Sequence, residues 1–306
     1  MQFSQLALII FTLFPIFSYS QHDTKVDDTK KELSDNEKET LENPQAYAIY
    51  TSKGKPVSYK KMIKGIRDAD MVFFGELHNN AISHWLQLEL TRDLYAQRAE
   101  ELVLGAEMFE SDNQVIMNEY FLGFISQKSF ESEMRNWPNY STDYKPLVEF
   151  AKENGLRFAA TNVPRRYASL VSREGLEKLN DLPDHSKIYC APLPIRVDMS
   201  VGCYEEMLEM GGGNEFFPQA QMLKDATMAY FTLNNWNKGE LFLHFNGSFH
   251  SDKKEGIIYY IRLENPDLNI ANITTVEQDD IKKLHREHEG KADYIIVVPS
   301  RVTKTY

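Results

Sequence analysis

Cysteine is nearly missing from this chain: Cys190 and Cys203 are the only two among its 306 residues. In an oxidising compartment the pair suits one disulfide closing a small loop; otherwise it reads as two buried thiols. Neither sits in a context that would activate a nucleophilic thiolate. Positive charge is also scarce, with 34 Lys and Arg against 45 Asp and Glu and a net charge of -11. Proteins whose main ligand is nucleic acid gather Lys and Arg on one face, so that partner class is excluded. The acidic excess is diffuse and favours solubility. No Gly-x-Ser-x-Gly elbow occurs, and Gly211-Gly212-Gly213 lacks both a preceding strand and a following Lys-Ser, so elbow-type serine chemistry and phosphate cradling are set aside. There is no internal repeat. Beyond the first residues, no apolar run approaches the roughly 20 residues that a membrane helix needs.

The content that is present suits a globular chain, since 42% hydrophobic residues are ample for a large core. Leu6 to Phe17 is apolar except for Thr12 and Pro15, and Ser18, Tyr19 and Ser20 precede Gln21. That pattern predicts a secretory signal over residues 1–20, although no Lys or Arg precedes the run. No cysteine follows it, so there is no lipobox site for a bacterial lipid anchor, and the expected location is the periplasm or cell envelope. Residues 21–43 are almost entirely charged and polar, which predicts a disordered linker. The folded domain is expected over 44–306.

Within that domain the hydrophobic period alternates between strand and helix. Strands are predicted at Ala46 to Tyr50, Met71 to Phe74, Leu102 to Met108, Leu156 to Thr161, Leu241 to Phe245, Ile270 to Val276 and Tyr294 to Val298. Helices are predicted from Ser58 to Ile66 behind a Ser cap, and from Asn80 to Arg98 with Ile82, Trp85, Leu86, Leu88, Leu90 and Leu94 as its apolar positions. Others run from Pro146 to Asn154 with Gly155 behind it, from Arg165 through Leu179, from Pro218 to Trp236 and from Gly256 to Leu263. Residues 181–213 read as loops with one helical stretch around Glu205. Residues from about 110 to 145 are helical and rich in rings, with no strand among them. The fold class is therefore α/β: a mostly parallel sheet with helices on both faces and a small helical insertion.

Three buried strands end in ligand-capable residues: Glu76 and His78, then Glu107, then His250. Right-handed crossovers put the carboxyl ends of parallel strands on one edge, where ligands of open α/β sheets bind. Gly75-Glu76-Leu77-His78 and Gly247-Ser248-Phe249-His250 repeat one pattern, Gly-x-x-His directly after an apolar strand. A glycine there lets the backbone turn sharply and aim the His back across the edge. Imidazole and carboxylate together suit Zn, Mn or Fe, or acid and base work on a substrate. Each residue also has a plain structural reading. Glu76 and His78 could be a helix cap and a hydrogen-bonded ring, and Glu107 could pair with Arg165 or Arg166. His244 is expected in the core, His84 on either helix face, and His185, His285 and His288 in solvent. Trp137, Tyr140, Tyr144, Phe121, Phe124, Phe130, Met117 and Met134 would either line a slot for a flat ligand such as haem or pack the insertion onto the sheet.

Several strings add a resemblance. Phe74-Gly75-Glu76-Leu77-His78, Gly105-Ala106-Glu107-Met108-Phe109, Tyr144-Lys145-Pro146-Leu147, Asn162-Val163-Pro164-Arg165-Arg166-Tyr167-Ala168, Asp225-Ala226-Thr227-Met228-Ala229 and His244-x-x-Gly247-x-x-His250 occur in this order. Together, over roughly Phe73 to Ile261, they resemble the ChaN-like haem-binding uptake proteins of the Tiki superfamily. The resemblance implies an exported protein of iron and haem uptake that works with outer-membrane or envelope components. It also implies haem held between the protomers of a homodimer by Tyr ligation. Tyr140 and Tyr144 are the positions for that ligand, with His78, His250, Arg165 and Arg166 as the remaining haem contacts. The chain departs from the family in having no lipobox Cys and a looser Trp/Tyr spacing from Trp137 to Tyr144. The same superfamily includes metal-dependent proteases whose two Gly-x-x-His motifs hold the metal. That likeness gives the alternative: a hydrolase with Glu76, His78, Glu107 and His250 around a Mn, Zn or Fe ion, and Glu76 and Glu107 as its catalytic carboxylates.

Overall fold

Strand β1, Ala48–Thr51, opens the computed structural model, which describes residues 44–306. The signal and linker expected over 1–43 lie outside the described residues. Helix α1, Tyr59–Ile66, is capped by Ser58, whose hydroxyl accepts from the Lys61 N–H. Strand β2, Met71–Glu76, is buried at every position, as expected for a strand of a parallel sheet. Helix α2, Ala81–Arg98, starts at Asn80, whose Oδ1 accepts from the Ile82 and Ser83 N–H groups.

The buried face of α2 differs from its apolar pattern. Ser83, His84, Gln87 and Thr91 are buried beside Leu86, Leu90 and Leu94, whereas Trp85 is 48% exposed. His84 and Gln87 point inward to the site described below, while Ser83 bonds to Thr275 and Thr91 to the Gln87 carbonyl.

Strand β3, Leu102–Glu110, is followed by α3, Gln114–Phe121, and α4, Gln127–Glu133. A π turn over Tyr140–Tyr144 then runs into α5, Lys145–Glu153, with Pro146 in its first turn and Gly155 at φ +67 behind it. Strand β4, Arg157–Asn162, leads to α6, Arg165–Glu174. The helix expected through Leu179 stops at Gly175, whose φ of +80 ends it, and a 3-10 stretch continues over Leu176–Asp181. Helix α8, Gly202–Met210, is the helical stretch expected around Glu205, and a short helix α7, Asp184–Lys187, is added to the loops expected over 181–213. Cys190 and Cys203 are both free and buried, which resolves the disulfide alternative in favour of thiols. Helix α9, Phe216–Asn235, strand β5, Leu241–Gly247, helix α10, Ile257–Glu264, and strands β6, Ile270–Gln278, and β7, Tyr294–Pro299, complete the chain.

The strands form one sheet in the order β1-β7-β6-β2-β5-β3-β4, parallel throughout except for β1 against β7. Successive residues of one strand belong to two different hydrophobic clusters, as the two-residue period requires. Val72 and Phe74 pack with Leu86, Leu90, Phe130 and Tyr144, and Met71 and Phe73 with Val171, Tyr204, Met222 and Ile258. No described helix is long and apolar enough to cross a membrane.

The turn after β5 depends on Gly256. Its φ is +57, and a Cβ there would lie 2.3 Å from the His250 carbonyl oxygen. Gly256→Ala is expected to lower the unfolding free energy by about 1–3 kcal/mol, the usual range for a strained backbone position. Urea denaturation measures this, and an unchanged midpoint would contradict the packing described.

Candidate functional site

Register brings the two Gly-x-x-His turns side by side. In the β2–β5 pairing Gly75 lies opposite Asn246 and Glu76 opposite Gly247, so both strands end level on the carboxyl edge. Neither glycine has a positive φ; what the site requires of them is space. A Cβ on Gly75 would sit 2.8 Å from Ser248 Cα, and one on Gly247 would sit 2.6 Å from His78 Nε2. Each motif's glycine therefore makes room for the other motif, which corrects the expectation of a sharp glycine turn. A cleft of about 410 Å³ opens there, lined by residues 76–79 and 247–250 with Tyr306.

Glu76 is the hub on one side. Its carboxylate is buried, with Oε1 accepting from His78 Nδ1 at 2.8 Å and from the Tyr144 hydroxyl at 2.6 Å, and Oε2 accepting from Gln87 Nε2. His84 lies 3.4 Å from Glu76 Oε1 and 3.0 Å from Asp143 Oδ2, within ion-pair distance of both although without a well-aligned hydrogen bond. Asn139 donates to the His78 carbonyl and to Asp143, tying the π turn to the strand end. Burial opposes charge on Glu76, but His78 and His84 outweigh it and hold the carboxyl at about 2. Burial likewise opposes charge on His78, and the Glu76 bond and the Glu107 charge raise its pKa above the usual value.

Glu107 and His250 form the second pair. His250 Nε2 lies 3.1 Å from Glu107 Oε1, and Glu107 Oε2 accepts the Gly247 N–H at 2.8 Å. On its other side, His250 Nδ1 meets Asp225 Oδ1, and Tyr204 donates to Asp225 Oδ2 at 2.8 Å. Burial works against the imidazolium, yet the two carboxylates raise His250 to about 10. The same imidazolium holds Glu107 far below the usual carboxylate range, against its burial. His78 and Glu107 meet beside Gly247, with Glu107 Oε2 only 3.5 Å from where its Cβ would be. Glu76, His78, Glu107 and His250 thus share one rim. Their donor atoms face each other in carboxylate–imidazole pairs. Among the described residues, the three-residue set with donors close enough for one ion lies elsewhere, at His285, Glu287 and His288.

The other candidate residues are placed differently. Tyr144 and Tyr140 are buried and do not line the cleft: Tyr144 is bound to Glu76, and the Tyr140 hydroxyl has no hydrogen-bond partner among the described residues. Arg165 pairs with Glu110 and Arg166 with Asp112 at 2.6 Å, while Arg135 bridges both acids. Neither Arg165 nor Arg166 reaches the cleft or Glu107. The insertion's rings mainly pack on one another, as in the Tyr120–Phe130 stack at 4.5 Å, but Trp137 stands edge-on to His78 at 4.7 Å. His244 is a satisfied core residue, bonded to Thr161 and Asn246, with burial lowering its pKa to about 4.

Sequence reasoning missed Asp225, Tyr204, Gln87, Asp143 and Asn139. The usable signal was Asp225, an acid inside the apolar stretch of α9 that is wholly buried.

The pair charges set a pH window. The Glu76 contribution is full above the unfolded value of 4.5 and lost as pH falls toward 2. The His250 contribution is full below 6.5 and lost as pH rises toward 10. Urea unfolding is therefore expected to show a stability plateau between those limits and an alkaline decline that His250→Gln flattens. An identical alkaline profile in wild type and variant would contradict the assignment.

Comparison with known proteins agrees with this architecture. The profile of the family described as haem-binding uptake, Tiki superfamily, ChaN matches residues 62–261, more than half of the chain. The solved ChaN of Campylobacter jejuni, described with cofacial haem binding, superposes with a TM-score of 0.61 at 16% identity, covering 83% of this chain and 98% of that one. At that identity the likeness is one of fold. Protein RETICULATA-RELATED 5, a chloroplastic protein of Arabidopsis thaliana, is 22% identical over 187 residues, 56% of this chain. The chain spans only 25% of that curated relative's length. The chain belongs to the ChaN family of haem-binding uptake proteins in the Tiki superfamily.

Proposed function

We propose that the protein binds haem as cargo in the cleft at the carboxyl edge of the sheet, with His78 as the side chain that meets the iron. The observation carrying this reading is the His78 ring, 34% exposed at the cleft while its Nδ1 is anchored on a buried carboxylate. A hydrogen bond on one ring nitrogen fixes the tautomer and leaves Nε2 as the donor, an arrangement that raises ligand basicity. Trp137, Phe249 and Tyr306 supply ring surface around it. In this reading Tyr140 and Tyr144 support the site from below, because the Tyr144 proton is held by Glu76 and its pKa is pushed well up by burial and that charge. Arg165 and Arg166 brace β3 and the insertion through Glu110 and Asp112 rather than meeting propionates.

Two copies closing their clefts over haem form the proposed assembly, a homodimer supported by the cofacial arrangement described for the C. jejuni relative. We also read the helices as flanking both faces of the sheet, which the two clusters on alternate strand residues support. Export to the periplasm or envelope, and work there with iron-uptake components, completes the proposal. N-terminal sequencing of the mature protein is expected to start at Gln21, and a chain with Met1 intact in the cytoplasmic fraction would contradict export.

A second reading rests on a separate observation. His250, clamped as an imidazolium between Glu107 and Asp225, shares the cleft with His78 on Glu76. Two imidazole–carboxylate pairs can divide acid and base roles in hydrolysis, with Glu76 and Glu107 as the carboxylates and an optional Mn, Zn or Fe ion.

One set of variants separates the two. Haemin titration is expected to give a saturable Soret change that His78→Ala weakens by about tenfold or more and Tyr140→Phe leaves intact. Binding that survives His78→Ala and disappears in Tyr140→Phe or Tyr144→Phe would overturn the His78 assignment. Ester or peptide hydrolysis reduced by about 10²–10⁴-fold in His250→Gln, with the Soret titration unchanged, would establish the second reading instead.

A further inference from the structure

The loop between β6 and β7 carries a His-rich cluster that the cleft does not use. It is well anchored. Gln278, at the end of β6, accepts the His285 N–H through Oε1 and donates through Nε2 to the Lys283 carbonyl. Ile281 and Leu284 are buried with Tyr50 and Val297. A 3-10 turn over Arg286–His288 then places His285, Glu287 and His288 on one short arc, with the His288 N–H bonded to the His285 carbonyl. The cluster was expected to be solvated, and His285 is half exposed, but the His288 side chain retains only 12% exposure.

Two observations point to a ligand. One donor atom from each residue can be chosen so that all lie within 4.8 Å of one another. Glu287 Oε1 is 3.6 Å from His285 Nδ1 and 3.8 Å from His288 Nε2, too long for hydrogen bonds. They are close to the roughly 3.4 Å between ligands held at about 2.1 Å from one tetrahedral ion. Independently, both His288 ring nitrogens are shielded from solvent without a hydrogen-bond partner among the described residues, and a shielded ring nitrogen left unsatisfied there is open to a ligand. Two imidazoles and one carboxylate match the preferences of zinc and similar borderline divalent ions.

We propose that His285, Glu287 and His288 form a binding site for one divalent transition-metal ion of the zinc type, with the remaining position open to water or to a donor from another molecule. The site is separate from the cleft and does not depend on the haem reading.

The test uses tag-free, chelator-stripped full-length protein titrated with Zn(II) by calorimetry and with Co(II) by visible absorption. One equivalent is expected in each, weakened by about tenfold or more in His285→Ala and in Glu287→Gln and unchanged in His78→Ala and His250→Gln. His285 and Glu287 are exposed enough that both variants should melt with the wild-type profile in chelator, so loss of binding is not loss of fold. No saturable binding, or one equivalent that survives both loop variants, would overturn the site. Binding lost in His78→Ala instead would assign the ion to the cleft and likewise overturn it.

Discussion

Three carboxylates, Glu76, Glu107 and Asp225, are buried at or beside the carboxyl edge of a parallel sheet, and the architecture around them answers the need to compensate that charge. An unpaired buried carboxylate is costly, so each must have partners in place before the cleft can exist. Glu76 draws on His78, Tyr144 and Gln87, Glu107 on His250 and the Gly247 N–H, and Asp225 on His250 and Tyr204. These partners come from the turn after β2, α2, the π turn, the end of β5 with the turn after it, and α8. The polar network thus joins segments far apart in sequence across the two hydrophobic clusters.

The same need explains features that would otherwise look like faults. Helix α2 buries His84 and Gln87 against Glu76 where a purely structural helix would place apolar residues, and α9 buries Asp225 against His250. A π turn at Tyr140–Tyr144 brings the Tyr144 hydroxyl onto Glu76 and Asp143 onto His84, a local irregularity of the kind that recurs at functional sites. The two glycine-led turns interlock because each glycine has no Cβ where the other motif passes. The result is a cleft whose chemistry is imidazole and carboxylate, with one imidazole, His78, reaching solvent. That single exposed ring is the feature on which the proposed haem reading rests.

Much of this was legible in the residues. Continuous apolar runs such as Met71 to Phe74 announced buried parallel strands, and the gathering of Glu76, Glu107 and His250 at one edge followed from the expected topology, although β3 runs on past Glu107 to Glu110 and His250 lies in the turn beyond β5. The Ser58 and Asn80 caps were readable because capping chemistry is local. What was not readable depends on long-range pairing. Nothing near Asp225 or Tyr204 in sequence reveals that they face His250, and an arginine pair beside β4 gives no hint that its partners are Glu110 and Asp112 rather than Glu107. Composition marked the insertion as ring-rich, but only packing shows that Tyr140 and Tyr144 turn inward while Trp137 reaches His78. His288 read as a surface residue because its neighbours are charged, yet its side chain is only 12% exposed in a loop anchored through Gln278.

His250 is held as an imidazolium between Glu107 and Asp225, while His244, on the strand that leads into the His250 turn, stays neutral. Long-range proton–nitrogen NMR on ring-labelled protein tests this most directly, because it reads the protonation of each ring nitrogen through a pH series. Both His250 nitrogens are expected to remain protonated past pH 8, well above the usual histidine value, with His244 showing one protonated nitrogen throughout. A His250 ring that titrates near 6.5, as an unpaired histidine does, would contradict the account.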